Sequence, residues 1–246
     1  MRVFLSALEA SGEFSEINRR IREYKWNLMS YFYLKKNTEN FLTILRKSEL
    51  ILIDSGAHSF QKGKKVDWTR YTEEYAEWIL QNDEDKILGY FEMDVDNIIG
   101  YDEVLKLRKI LEKNNKKIIP VWHKNRGVQE YIEMCKEYKG KIIAITGFKN
   151  EDIQDHQYLD FYKVAKKYDC KIHCLGMTRK KILDEVPFDF VDSSSWKQSA
   201  IFGNIGKQKV KKEFSKTNRA YVMYASYLEG MKMQEKYYKK WRKVNE

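Results

Sequence analysis

Residues 171–192 read KIHCLGMTRKKILDEVPFDFVD, and the succession of residue types in that stretch decides the fold. Lys171–Leu175 is a short, mostly apolar run that ends at Gly176. Residues 178–185, TRKKILDE, then form a helix-like stretch, and Phe188–Asp192 is a second short apolar run. Strand, helix and strand without a hairpin turn predict a βαβ unit in a parallel sheet. The same alternation extends in the N-terminal direction. Further strand-like runs lie at Val3–Ser6, Leu50–Asp54, Ile87–Asp94, Lys117–Trp122 and Lys141–Thr146, with helical patterns near 38–48, 68–82, 101–114, 127–138 and 152–168. The runs are almost continuously apolar, as in strands covered on both faces. Seven strands, with an eighth placed near Ala200–Asn204, suit a (β/α)8 TIM-type barrel in a chain of 246 residues. An open doubly wound sheet is the alternative, and the lack of a GxGxxG after the first strand weighs against its dinucleotide-binding form.

Composition narrows the class. With 43% hydrophobic residues, 2 prolines and no linker-like stretch, residues 1–246 are expected to form a single ordered domain. The three scattered cysteines, Cys135, Cys170 and Cys174, make neither a disulfide framework nor a four-ligand zinc site. The opening MRVFLSALEASGEF lacks the long apolar region of a signal peptide. No stretch reaches the ~18 apolar residues of a membrane span. A cytoplasmic protein without membrane contact is therefore expected.

The formal charge of +10 is unevenly placed. Residues 205–246 hold 12 Lys/Arg against 4 Asp/Glu, whereas residues 1–204 hold 34 against 32. The basic C-terminal segment suggests phosphate-bearing partners, with a merely solvated lysine face as the plain alternative. Within it, Tyr221, Tyr224, Leu228, Met231, Tyr238 and Trp241 recur at helical spacing. They predict a long amphipathic helix over Arg219–Arg242 that packs an aromatic stripe on the barrel.

In a βα protein, function collects where strands end. Those ends read Asp54-Ser55-Gly56-Ala57-His58, Glu92-Met93-Asp94-Val95-Asp96, Val121-Trp122-His123, Thr146-Gly147-Phe148, His173-Cys174-Leu175-Gly176-Met177 and Asp192-Ser193-Ser194-Ser195-Trp196. Carboxylates on different strands fit glycosyl transfer, in which one attacks and another moves protons. Asp and His together also fit a catalytic metal. However, the first strand ends in Ser6-Ala7-Leu8-Glu9, without the histidine pair of familiar metal-hydrolase barrels. A single strand-end Asp can equally cap the next helix.

The order of these motifs resembles the tRNA-guanine transglycosylase superfamily, including its compact phage-type relatives and the enzymes that place 7-deazaguanines in DNA. Asp54-Ser55-Gly56 is similar to the family's general acid/base motif, although Ala57-His58-Ser59-Phe60 departs from it. The stretch from Leu175-Gly176 to Asp192 follows the plan that leads to the family's nucleophile. The resemblance implies a (β/α)8 barrel that exchanges guanine in DNA or tRNA for a free 7-deazaguanine base. Asp192 would be the nucleophile and Asp54 the proton shuttle. Asp94 or Asp96 would read the base edge. Ser55, Gly56, His123, Gly147, Phe148, Gly176 and Met177 would line the base site. Lys207, Lys209, Lys211, Lys212 and Trp196 would meet the polymer. No cysteine follows Cys174, so the family's C-terminal zinc is not expected, and no metal or other cofactor is implied. The alternatives are a metal-dependent barrel hydrolase, a non-catalytic nucleic-acid-binding relative and a nucleoside glycosidase. The choice of DNA or tRNA, and of monomer or homodimer, stays open at this level.

Overall fold

The computed structural model describes residues 1–60, 65–113, 115–146 and 153–245. Nine parallel strands form one sheet: β1 Arg2–Ser6, β2 Tyr24–Ser30, β3 Ser48–Asp54, β4 Ile87–Phe91, β5 Ile118–Ile119, β6 Val121–Trp122, β7 Ile142–Thr146, β8 Lys171–Leu175 and β9 Phe190–Ser193. Their order is β5-β4-β3-β2-β1-β9-β8-β7-β6. The two edges of this sheet are consecutive pieces of the run 118–122, so the sheet curls until it is nearly closed as a TIM-like barrel.

The ninth strand arises at Pro120. Proline has no N–H to donate to a ladder, so the run divides there. Ile118–Ile119 pairs with β4 and Val121–Trp122 pairs with β7. Glu92 bridges the seam. Its Oε1 accepts from Val121 N at 2.6 Å, and Arg108 donates to both carboxylate oxygens at 2.6 and 3.0 Å. Glu92 and Arg108 are almost wholly buried.

Two expectations are corrected. The strand Tyr24–Ser30 was not anticipated, because Lys25 and Asn27 interrupt its apolar run. Asn27 is nevertheless buried, accepting from Tyr227 Oη at 2.8 Å and donating to Ser48 Oγ at 3.2 Å. The segment Ala200–Asn204 adds no strand to the barrel. Ser195–Ile201 is helical, and Asn204–Ile205 instead pairs antiparallel with Gln208–Lys209 in a separate hairpin.

The helical expectations fall close to the observed helices, among them Thr38–Lys47, Trp68–Asn82, Tyr101–Glu112, Gly127–Glu137, Gln157–Lys167 and Lys180–Glu185. Alternation along the strands separates two kinds of core. Phe4, Trp26, Leu52, Phe91, Val121 and Phe190 pack inside the barrel. Leu5, Ile51, Ile53, Ile143, Ile172 and Val191 belong to clusters shared with the surrounding helices.

The long helix Arg219–Asn245 packs on the barrel through Tyr224, Leu228, Met231, Tyr238 and Trp241 of the anticipated stripe, which lie half-buried against the core, but its deepest contacts are made by other residues. Its buried residues include Ser226, Tyr227, Gly230, Gln234 and Tyr237, whereas Tyr221 is exposed. The reason is close approach. A Cβ on Gly230 would lie 2.9 Å from Leu5 Cδ1. Gln234 Nε2 donates to Val3 O at 2.8 Å and to Trp26 O at 2.7 Å. Those carbonyls lie on β1 and β2 on the N-terminal side of the register pairs Leu5–Asn27 and Ser6–Leu28, so the amide satisfies backbone groups between the two strands.

Candidate active site

The C-terminal ends of the strands surround a cavity of about 890 Å³. Side chains from six strands or the loops that follow them reach it, namely Ser6, Asp54, Asp94, His123, Thr146 and Asp192. The alternation that turns Leu52 and Phe190 into the barrel also turns Asp54 and Asp192 inward, two residues further along the same strands.

Asp192 is held by donors on both oxygens. Oδ2 accepts from Ser6 Oγ at 3.0 Å, and Oδ1 accepts from Gly176 N at 2.8 Å and from His173 Nε2 at 3.0 Å. His173 is fully buried among the rings of Phe4, Phe91 and Phe190. Its bond to Asp192 assigns the ring proton to Nε2, and Nδ1 has no partner among the described residues.

Asp54 accepts from Gly56 N at 2.8 Å. Burial pushes its carboxyl up to about 6, against the opposing pull of His58 and the Gly56 N–H, with Asp94 and Asp192 adding to the rise. The turn needs glycine at 56. Its φ is +78°, and a Cβ there would meet Phe32 N at 2.8 Å.

Asp94 joins two histidines. Oδ1 lies 2.5 Å from His123 Nε2, and Oδ2 lies 3.0 Å from His58 Nε2. Burial pushes the Asp94 carboxyl up, but hydrogen bonds from His123 and His58 outweigh it and hold the group well below the usual carboxylate range. The reciprocal bond from Asp94 raises His58 to about 9, against a smaller opposing effect of burial.

Asp96 is buried behind this pair. It accepts from Arg126 Nε at 3.2 Å, and its Oδ1 lies 3.6 Å from His123 Nε2. Asp94, Asp96 and His123 present ligand atoms within 4.8 Å of one another and can hold a metal ion. In the present arrangement they bind each other and Arg126, so coordination would exchange those bonds for metal contacts.

Among the other residues singled out in the sequence, Gly176 lines the cavity and donates its N–H to Asp192. Gly56 and Ser55 support the β3 turn from below, with Ser55 fully buried and its carbonyl accepting from Tyr71 Oη at 2.8 Å. Met177 points away from the cavity into the outer core beside Cys174 and Ile182. Trp196 is corrected from polymer contact to core. It is 3% exposed, its Nε1 donates to Ser6 O at 2.9 Å, and its ring meets Tyr227 edge-on. A tryptophan two residues into a helix presents the same pattern in sequence whichever way its face turns. Gly147 and Phe148 lie outside the described residues. Lys207, Lys209, Lys211 and Lys212 are exposed on and just after the hairpin.

Several participants were not singled out. Ser6 ends β1 and His173 sits in the middle of β8, and their bonds to Asp192 span 186 and 19 residues. Glu9 is 6% exposed, accepts from Ser30 N at 3.0 Å through Oε1, and has no partner for Oε2 among the described residues. Burial pushes its carboxyl up to about 7, against opposing effects of the backbone N–H groups and Lys197, and the charge of Asp54 adds to the rise. No helix among the described residues is long and apolar enough to cross a membrane. Comparison with protein-family models, curated proteins and solved structures finds no match to this chain.

Proposed function

We propose that the protein is a nucleic-acid base-exchange enzyme that replaces guanine with a 7-deazaguanine through a covalent Asp192–nucleotide intermediate. The observation that carries this reading is the pair Asp54 and Asp192, two carboxyl groups from β3 and β9 that open on one cavity in unlike surroundings. Asp192 is oriented by Ser6, His173 and the Gly176 N–H. Asp54, pushed up to about 6 mainly by burial, is suited to give and take a proton near neutral pH.

In the first step an oxygen of the Asp192 carboxylate attacks C1′ of the target nucleotide, and the C1′–N9 bond breaks. The bonding pair leaves with guanine, which takes a proton from Asp54. In the second step the incoming base loses its N9 proton to the Asp54 carboxylate and attacks C1′, and the bond to Asp192 breaks. Both aspartates return to their starting states. Asp94, fixed by His58 and His123, offers acceptor oxygens to the N–H groups of a guanine-like edge. The target nucleotide must leave its stack to reach the cavity.

Incubation with labelled guanine and, separately, DNA and tRNA tests the reading. Incorporation into one polymer, lost in Asp192→Asn and strongly reduced in Asp54→Asn, supports it. Wild-type incorporation by both variants, or no incorporation into either polymer, overturns it.

The cluster of Asp94, Asp96 and His123 favours a second reading, a metal-dependent hydrolase. Stoichiometric metal in protein purified without chelators, lost in His123→Ala together with hydrolysis, would support that reading over base exchange.

A further inference from the structure

The wall of the cavity continues from Asp192 through Ser195, Gln198, Phe202 and Asn204, and Asn204 is the first residue of the basic hairpin. Phe202 is the most exposed of the large hydrophobic side chains described, at 74%. It follows the helix Ser195–Ile201, and its N–H donates to Gln198 O at 3.1 Å. The phenyl ring is thus carried at the mouth on a backbone that is itself anchored.

The hairpin beside it is also anchored from below. Asn204 pairs with Lys209 and Ile205 with Gln208, leaving a two-residue turn at Gly206-Lys207. Gly206 has a φ of +58°, as the first central position of such a turn demands. Ile205 and Val210 pack on the core, and a Cβ on Gly206 would lie 3.3 Å from Glu229 Cγ. Lys207 and Lys209 are therefore presented outward by a fixed scaffold, and neither forms an ion pair among the described residues. An exposed aromatic face on a cavity lip, flanked by unpaired cations, is the chemistry that binds a nucleic-acid strand. Bases stack on the ring and phosphates meet the lysines.

We infer that Phe202 is the stacking platform for a base neighbouring the target nucleotide, and that Lys207 and Lys209 hold the phosphates of the same strand as it leaves the cavity. This rests on the base-exchange reading for the role of the target nucleotide, but the strand-binding surface is read from Phe202 and the hairpin alone. It also reassigns the aromatic contact at the mouth from Trp196, which is buried, to Phe202.

Fluorescein-labelled single-stranded 12-mers of DNA and of RNA, titrated by anisotropy at several KCl concentrations, test it. Phe202→Ala is expected to weaken binding about five- to a hundredfold at every salt concentration, with the slope of log K against log[salt] unchanged. Phe202→Trp should bind as the wild type does. Lys207→Ala with Lys209→Ala should make the slope shallower by about 1.4, the loss of two phosphate contacts on a single strand.

The inference is overturned if Phe202→Ala binds both oligonucleotides as tightly as the wild type does, or if the wild type binds neither. It is likewise overturned if Phe202→Ala changes only a concentration-dependent self-association measured by sedimentation. Labelled-guanine incorporation by the same proteins separates the two readings. Binding that depends on Phe202 in a protein that incorporates no guanine sustains the platform and removes base exchange. Incorporation with binding indifferent to Phe202 does the reverse.

Discussion

Replacing Glu9 with glutamine should make the protein more stable, and the gain should grow with pH. The side chain is buried, with Oε1 bonded to Ser30 N, the register partner of Asp54, and no partner for Oε2 among the described residues. Burial lifts its carboxyl from an ordinary 4.5 to about 7. The fold therefore favours the neutral acid. Its contribution is fully present below the unfolded value, is lost as pH rises towards the folded value, and is constant above it. At about 1.36 kcal/mol per pKa unit, the ionised form costs about 3 kcal/mol at pH 8. Glutamine keeps the acceptor for Ser30 and removes the titration. Urea unfolding of both proteins across pH 5 to 8 measures the effect, and because the difference between them is followed, titrations at other sites largely cancel. The gap should widen by about 2–3 kcal/mol over that range. At pH 8 the melting temperature should rise by roughly 6–12 °C for a domain of this size. Parallel curves, with a gap that does not change with pH, would refute the reasoning and show that Glu9 ionises freely in the folded protein.

Two further outcomes follow from the geometry. His58 opposes the rise of the Asp54 carboxyl, so His58→Ala should lift that group above about 6 and move the Asp54 limb of a pH–rate profile to higher pH. An unmoved limb would separate the two residues electrostatically. Arg108→Met leaves the fully buried Glu92 without its cation at the barrel seam and should destabilise the fold by about 3–5 kcal/mol in chemical unfolding. Adding Glu92→Met should recover much of that loss, unless the bond from Val121 N to Glu92 matters more than the ion pair.

Local chemistry was enough to locate most of the barrel. Apolar runs such as Leu50–Asp54 and Lys171–Leu175 coincide with or overlap strands because a strand covered on both faces needs apolar side chains on both. The site could be read in outline for a related reason. Polar residues such as Asp54 and Asp192 fall at or near the C-terminal ends of those runs, where the strands leave the core. What could not be read depended on partners distant in the chain. Asn27 looks like a strand breaker until Tyr227, 200 residues away, satisfies it. Pro120 looks like an interior fault until Glu92 and Arg108 are seen to close the seam.

By itself the amino-acid order determined the parallel βα alternation, the placing of carboxyl groups at strand ends and the basic C-terminal helix, all consequences of spacing within one element. Only the tertiary structure decided that Ser6, His173 and Gly176 converge on Asp192, that Glu9 is buried against the backbone of Ser30, that Trp196 is core and that Phe202 faces solvent at the mouth. Those facts depend on which face of an element meets another and on how much water remains there. Both are set by contacts between residues tens to hundreds of positions apart, which spacing along the chain does not encode.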